Sequence, residues 1–153
     1  MMHMPASHHY RLHRGSRSSH QQIARIVREL NVSPILDVGA AQGLIGQLLG
    51  SSGLEIDAVE PNPAWADAAR PYYSHVFAAT IEQAPLEPSR YRAVVCGDVL
   101  EHTVDPVSVL RRLRTHATDD AVFIISVPNV AHLAVRLMLL FGRFPRKIGR
   151  AHV

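Results

Sequence analysis

The stretch Ile35-Leu36-Asp37-Val38-Gly39-Ala40-Ala41-Gln42-Gly43 constrains this chain more than any other. A short apolar run closes in an acid and a glycine, and Leu44, Ile45, Leu48 and Leu49 then recur at helical spacing up to Gly50. The pattern is strand, tight turn, helix. Small side chains in the turn let the main chain bend sharply and approach a ligand where the helix begins.

The unit has neighbours of the same kind. Upstream, Ile23, Ile26, Val27 and Leu30 share one face of a helix that starts near Gln21 and is ended by Asn31, Ser33 and Pro34. Downstream, Ile56 to Glu60 reads as a strand, after which Asn62 can cap a helix with Pro63 in its first turn. A weak strand follows at His75 to Phe77 and a stronger one at Arg92 to Gly97. Asp105-Pro106 opens a helix carrying Val107, Leu110 and Leu113, and Val122 to Val127 is the fifth strand. Each crossover helix must cover one face of the sheet, so alternation predicts parallel pairing and a doubly wound α/β sheet with helices on both faces. With 153 residues, 47% of them hydrophobic, the chain has material for one core and one domain.

Charge and composition narrow the partners. A net charge of +3, from an arginine surplus without a long basic run, predicts no nucleic-acid partner. The single cysteine, Cys96, excludes an internal disulfide and sits in the apolar run Ala93 to Cys96, where a buried thiol serves as a small hydrophobe; a cytoplasmic setting is expected. Residues 1–19 hold His3, His8, His9 and His13 among serines and arginines and read as a mobile lead-in. No carboxylate or thiol accompanies those histidines, so no metal site is expected. No apolar stretch approaches the roughly 20 residues that cross a bilayer, and stable membrane insertion is not expected.

Two acids narrow the ligand. Glu60 ends the second strand about 20 residues after the turn, where a carboxylate can accept hydrogen bonds from both hydroxyls of a ribose, which points to adenosine. Asp37 lies at the mouth of the first strand, where it would repel a pyrophosphate and welcome a cationic amino group. Taken singly, Asp37 could be a plain turn acid and Glu60 a solvated one; the spacing of the pair favours the site. Asp98 and Val99 follow the fourth strand beside the switch point between strands one and four, where ligands bind in open α/β sheets. His102 is the best candidate for a general base, against the plainer reading in which Glu101 and His102 cap the next helix or fix the loop. Trp65, Tyr72 and Tyr73 read as core packing ahead of base stacking.

At these residues the sequence resembles the first motif of class I S-adenosylmethionine-dependent methyltransferases, an acid followed by Gly-x-Gly-x-Gly, with Ala41 in place of the central glycine. The resemblance continues through Ala58 to Asn62, Glu82 to Leu86 and Gly97 to Pro106, and covers residues 20–144. It implies a Rossmann-like sheet in the order 3-2-1-4-5 and S-adenosylmethionine as cofactor. The cofactor contacts it implies are Asp37, Gly39, Ala40, Ala41 and Gly43 at the methionine end, Glu60 and Pro61 at the ribose, Thr80, Ile81 and Glu82 at the adenine, and Asp98 and Val99 beside the methyl donor. Thr80 stands where the family often has an aspartate on the adenine amine. The implied reaction is methyl transfer to a small-molecule acceptor, with oxygen as the expected atom, as in quinone-biosynthesis O-methyltransferases. Ala41 is tolerable there at negative φ and pushes the ligand outward if positive φ is required. The apolar run Val130 to Phe141 would form a helix near the substrate pocket. Two rivals remain: a nicotinamide oxidoreductase, since Ala41 to Gly46 is a degraded Gly-x-Gly-x-x-Gly that Asp37 argues against, and a binding module that keeps the cofactor without turnover.

The family fold has seven strands, the last two in an antiparallel hairpin, whereas five are found here. Ile148-Gly149-Arg150-Ala151-His152-Val153 also reads as the translation of ATC GGA AGA GCA CAC GTC, a common sequencing adapter. The expectation is therefore a partial methyltransferase domain over 20–147, a non-native tail over 148–153, and an open sheet edge that favours self-association or inactivity.

Overall fold

In a computed structural model, residues 18–127 are described. The histidine-rich lead-in up to residue 17, the apolar run at 130–141 and the tail at 148–153 lie outside them. Ser18 accepts the Gln21 N–H and caps α1 (Ser19–Leu30), so Ser18 and Ser19, read with the lead-in, belong to the helix. Asn31 ends α1 in the left-handed region at φ 48°. Ile23, Ala24 and Val27 are buried where α1 packs on the next helix and on the fourth strand, whereas Ile26 is 36% exposed. The buried stripe is turned from the one expected because small Ala24, rather than Ile26, faces the layer.

The chain then alternates as β1 (Ile35–Val38), α2 (Leu44–Leu49), β2 (Ile56–Val59), α3 (Pro63–Ala69), β3 (His75–Phe77), β4 (Tyr91–Gly97), α4 (Pro106–His116) and β5 (Ala117–Ser126). Short 3-10 turns occupy Arg70–Tyr72 and Leu100–His102. All pairings are parallel and the order is β3-β2-β1-β4-β5, as expected from the sequence. Two boundaries differ. β4 begins one residue earlier than read, and β5 begins at Ala117 and stops before Val127. Tyr91 pairs with Ala117 and Ala93 with Val122, so the polar run Thr118 to Asp120 bulges between the two pairings and is carried within β5. Local hydropathy carries no signal for such pairing.

β1 and β4 are buried on both faces, which is why they read as continuous apolar runs. Ile35, Ala93 and Val95 join the core under α1 and α2. Leu36, Val38, Val94 and Cys96 point the other way, onto Val109 and Leu113 of α4. Register places Val38 opposite both Val59 and Cys96, and Gly97 opposite Ser126. The residues that follow these strands, Gly39, Glu60 and Asp98, therefore emerge along one carboxyl rim. Two acids interrupt the buried strands, Asp37 and Asp57. Asp57 is compensated: it accepts the Tyr91 hydroxyl at 2.9 Å and lies 3.1 Å from His75 Nδ1 and 3.5 Å from Arg90 Nε.

Candidate functional site

The bend after β1 is built from backbone conformations that side chains resist. Gly39 has φ +72°, and a Cβ there would lie 2.5 Å from Val99 Cγ2. Gly43 has φ +87°, and a Cβ there would lie 2.9 Å from the Tyr72 ring. Between them, Ala41 adopts φ 46°. Positive φ is thus required at the position where alanine replaces glycine, at a cost of about 1 kcal/mol or more. Main-chain bonds tie the bend to β2: Gly39 N–H and Ala40 N–H both donate to Val59 O, at 2.8 and 3.3 Å.

Glu60 locks the same bend from the side. Its Oε2 accepts the Ala41 N–H at 2.8 Å and its Oε1 the Asn62 N–H at 2.8 Å, with the residue 4% exposed. Each oxygen keeps one lone pair, so the carboxylate can accept two more hydrogen bonds. Asp37 is 1% exposed, and its Oδ2 accepts the Tyr73 hydroxyl at 2.6 Å. That hydroxyl accepts the Gly46 N–H at 3.0 Å. Among the described residues nothing hydrogen-bonds Asp37 Oδ1 and no cation pairs with the carboxylate. Burial accordingly lifts the Asp37 pKa to about 7, with the Glu60 charge adding to the rise and the Tyr73 bond opposing it. Burial, then the charge of Asp37, pushes the Cys96 thiol up to about 12, so it is an inert filler of the core.

On the other flank Asp98 also holds a positive φ, 56°. Its Oδ1 accepts the Ser126 hydroxyl at 2.7 Å and its Oδ2 the Ser19 hydroxyl at 3.0 Å, joining the end of β4 to the end of β5 and the start of α1. A strained acid so restrained at a sheet rim is a candidate for a functional position. Beyond β3, the Thr80 carbonyl accepts the Gln83 and Ala84 N–H groups, and Arg112 of α4 donates to the Ile81 carbonyl at 2.7 Å. Ile81 is buried, while Thr80, Glu82 and Pro61 are exposed. His102 is exposed, its N–H donates to Val99 O at 3.0 Å, and its ring hydrogen-bonds no described residue. The cap of α4 is Asp105, which accepts the Ser108 N–H, so neither Glu101 nor His102 fills that role.

The structure thus interlocks Gly39, Ala40, Ala41, Gly43, Glu60 and Val99 and sets Asp37 beneath them. Pro61, Thr80 and Glu82 follow β2 and β3 and His102 ends the 3-10 turn after β4, and no hydrogen bond joins these four to residues 39–43. Tyr73, Ser19, Ser126 and Arg112 escaped the sequence. Tyr73 carried one signal, that a buried phenol needs a partner; the serines carried none. Among the described residues no three His, Cys, Asp or Glu side chains converge as metal ligands, and no helix is long and apolar enough to cross a membrane.

A family model described as a methyltransferase domain matches residues 9–153. Among curated proteins the chain is similar to the ubiquinone biosynthesis O-methyltransferase of Aeromonas salmonicida, 26% identical over 123 residues that make up 74% of this chain and 51% of that protein. The chain spans about half the length of the curated relatives it matches. Among solved structures it is similar to a SAM-dependent methyltransferase of Thermotoga maritima, described as a possible histamine N-methyltransferase, with TM-score 0.60 and 16% identity over 80% of this chain and 59% of that one. It is also similar to the plantazolicin methyltransferase BpumL in complex with SAH and a monoazolic analogue, with TM-score 0.64 and 12% identity over 80% of this chain and 49% of that one. At these identities the two structures establish likeness of fold.

Proposed function

Because the chain belongs to the methyltransferase-domain family, we propose that it binds S-adenosylmethionine at the carboxyl rim of its sheet and serves methyl transfer to a small-molecule acceptor. The observation that carries this reading is Asp37: a fully buried acid with no cation among the described residues, next to Glu60 across a glycine-bearing bend. An ammonium group would compensate Asp37, and the remaining lone pairs of Glu60 suit a ribose diol. A pyrophosphate brought to the same bend would meet two carboxylates, which disfavours a nicotinamide dinucleotide.

When bound, S-adenosylmethionine supplies an electrophilic methyl group. The chain's part is then mainly to bind and orient. Asp37 holds the ammonium, Gly39 and Gly43 let the main chain approach while the Ala41 methyl, at positive φ, sets the ligand slightly outward, Glu60 with Pro61 holds the ribose, and Thr80 to Glu82 lie at the adenine, Thr80 accepting a hydrogen bond. Asp98 and Val99 border the methyl donor. His102, exposed on the loop after β4, is the group available to take a proton from an acceptor hydroxyl. Oxygen as the acceptor atom is supported by the names of the curated relatives, which are O-methyltransferases. A cytoplasmic setting accords with a lone buried thiol.

Calorimetric titration of the full chain with S-adenosylhomocysteine and, separately, with NAD tests the reading. Uptake of the first and not the second is expected, with Asp37→Asn and Glu60→Gln each weakening it by about tenfold or more. Absence of uptake, or uptake indifferent to both substitutions, overturns it.

A further inference from the structure

Asp37 is tied to the rest of the site through one phenol. The Tyr73 hydroxyl donates to Asp37 Oδ2 at 2.6 Å and accepts the Gly46 N–H at 3.0 Å, so a single oxygen links the end of β1 to the main chain of α2. The tyrosine is fixed: it is buried, and a Cβ on Gly46 would lie 2.8 Å from its ring. Gly46 is thus the one residue size that admits the ring.

We propose that Tyr73 is the positioning residue of the cofactor site, holding the Asp37 carboxyl in place through the α2 main chain, and that binding of the ligand's ammonium expels a proton from Asp37 to solvent. The proposal rests on the assignment of Asp37 to the ammonium. Its chemistry follows from the surroundings. Tyr73, from the segment after α3, is the sole hydrogen-bond donor to Asp37 among the described residues. Glu60, at the end of β2, adds negative charge, and Cys96 of β4 stays a neutral thiol. α2 (Leu44–Leu49) has no ionisable side chain. α1 turns Ile23, Ala24 and Val27 inward, while Arg25 pairs with Glu29 and Arg28 donates to the Leu48 carbonyl. Asp98, past the end of β4, is held by Ser19 and Ser126. With no resident cation, burial keeps a proton on Asp37 up to a pKa of about 7. Removing the Tyr73 hydroxyl, which favours the charged form, raises it further.

The test is S-adenosylhomocysteine titration of the full chain by calorimetry in buffers of different ionisation enthalpy, which counts protons released on binding. From about pH 8 to about pH 6 the wild-type affinity should fall roughly tenfold while proton release climbs towards one per ligand. In Tyr73→Phe the profile should move about one unit to higher pH, weakening binding at neutral pH several-fold, with release persisting where the wild type has none. Asp37→Asn keeps the Tyr73–Gly46 pair and should abolish both the release and the pH dependence, which decides the matter should Tyr73→Phe fail to fold. Binding without proton release, or a Tyr73→Phe profile superposable on the wild type, overturns the proposal while leaving the cofactor reading intact. No binding at any pH removes both.

Discussion

Ala41 carries a backbone cost that glycine would not, since its φ of 46° lies in the left-handed region. Ala41→Gly is therefore expected to stabilise the protein by about 0.5–1 kcal/mol in denaturant unfolding, the relief of strain outweighing the added freedom of the unfolded chain. Asp37 carries a cost of a different kind. Its carboxyl holds a proton up to about pH 7 when folded and to about 3.8 when unfolded, so wild-type stability falls as pH rises through that window and levels off above it. Asp37→Asn lacks this loss, and its unfolding free energy relative to wild type should rise across the window to a plateau of at most roughly 4 kcal/mol. Urea unfolding of both proteins at mildly acidic and mildly alkaline pH checks this, and a constant difference would contradict it. At this scale the sequence disclosed Asp37, Gly39, Gly43 and Glu60, because a bend of small residues between acids is a local pattern. Tyr73 meets Asp37 across 36 residues and Ser19 meets Asp98 across 79, and no spacing rule reaches that far.

Helices and strands were legible where periodicity was strong, and less so where pairing decided. The cap of α3 was readable: Asn62 accepts the Ala64 and Trp65 N–H groups at 3.0 and 3.2 Å, with Pro63 in the first turn. Asn62→Ala should cost about 1 kcal/mol in unfolding free energy. Because Asn62 also gives its N–H to Glu60, loosening α3 should weaken S-adenosylhomocysteine binding in the same titration. The buried face of α1 was misjudged at Ile26, since the choice between Ile26 and Ala24 depends on how closely α2 and β4 approach. The early start of β5 was invisible for a similar reason: it is set by the Tyr91–Ala117 pair, and Thr118 to Asp120, which contribute nothing apolar, bulge between that pair and the next at Ala93 and Val122.

For the molecule as a whole, the stability of the sheet rim and occupancy of the site are one equilibrium. A ligand that bridges Asp37 and Glu60 binds only when β1, β2 and the bend are assembled, so S-adenosylhomocysteine at about 100 times its Kd should add roughly 2.7 kcal/mol to the unfolding free energy. A thermal scan with and without the ligand measures it, and an unmoved midpoint would count against the site. A doubly wound parallel sheet was within reach of the sequence alone, because alternating apolar runs and amphipathic helices leave few ways to cover both faces, whereas the order β3-β2-β1-β4-β5 came from the family resemblance. Hydropathy period and turn chemistry are local, and they determined the fold class and the acid-flanked bend. Which groups hold those acids, and that one buried aspartate was given an arginine while the other was left without a cation among the described residues, depended on contacts between distant segments, and only tertiary packing decides where such segments meet.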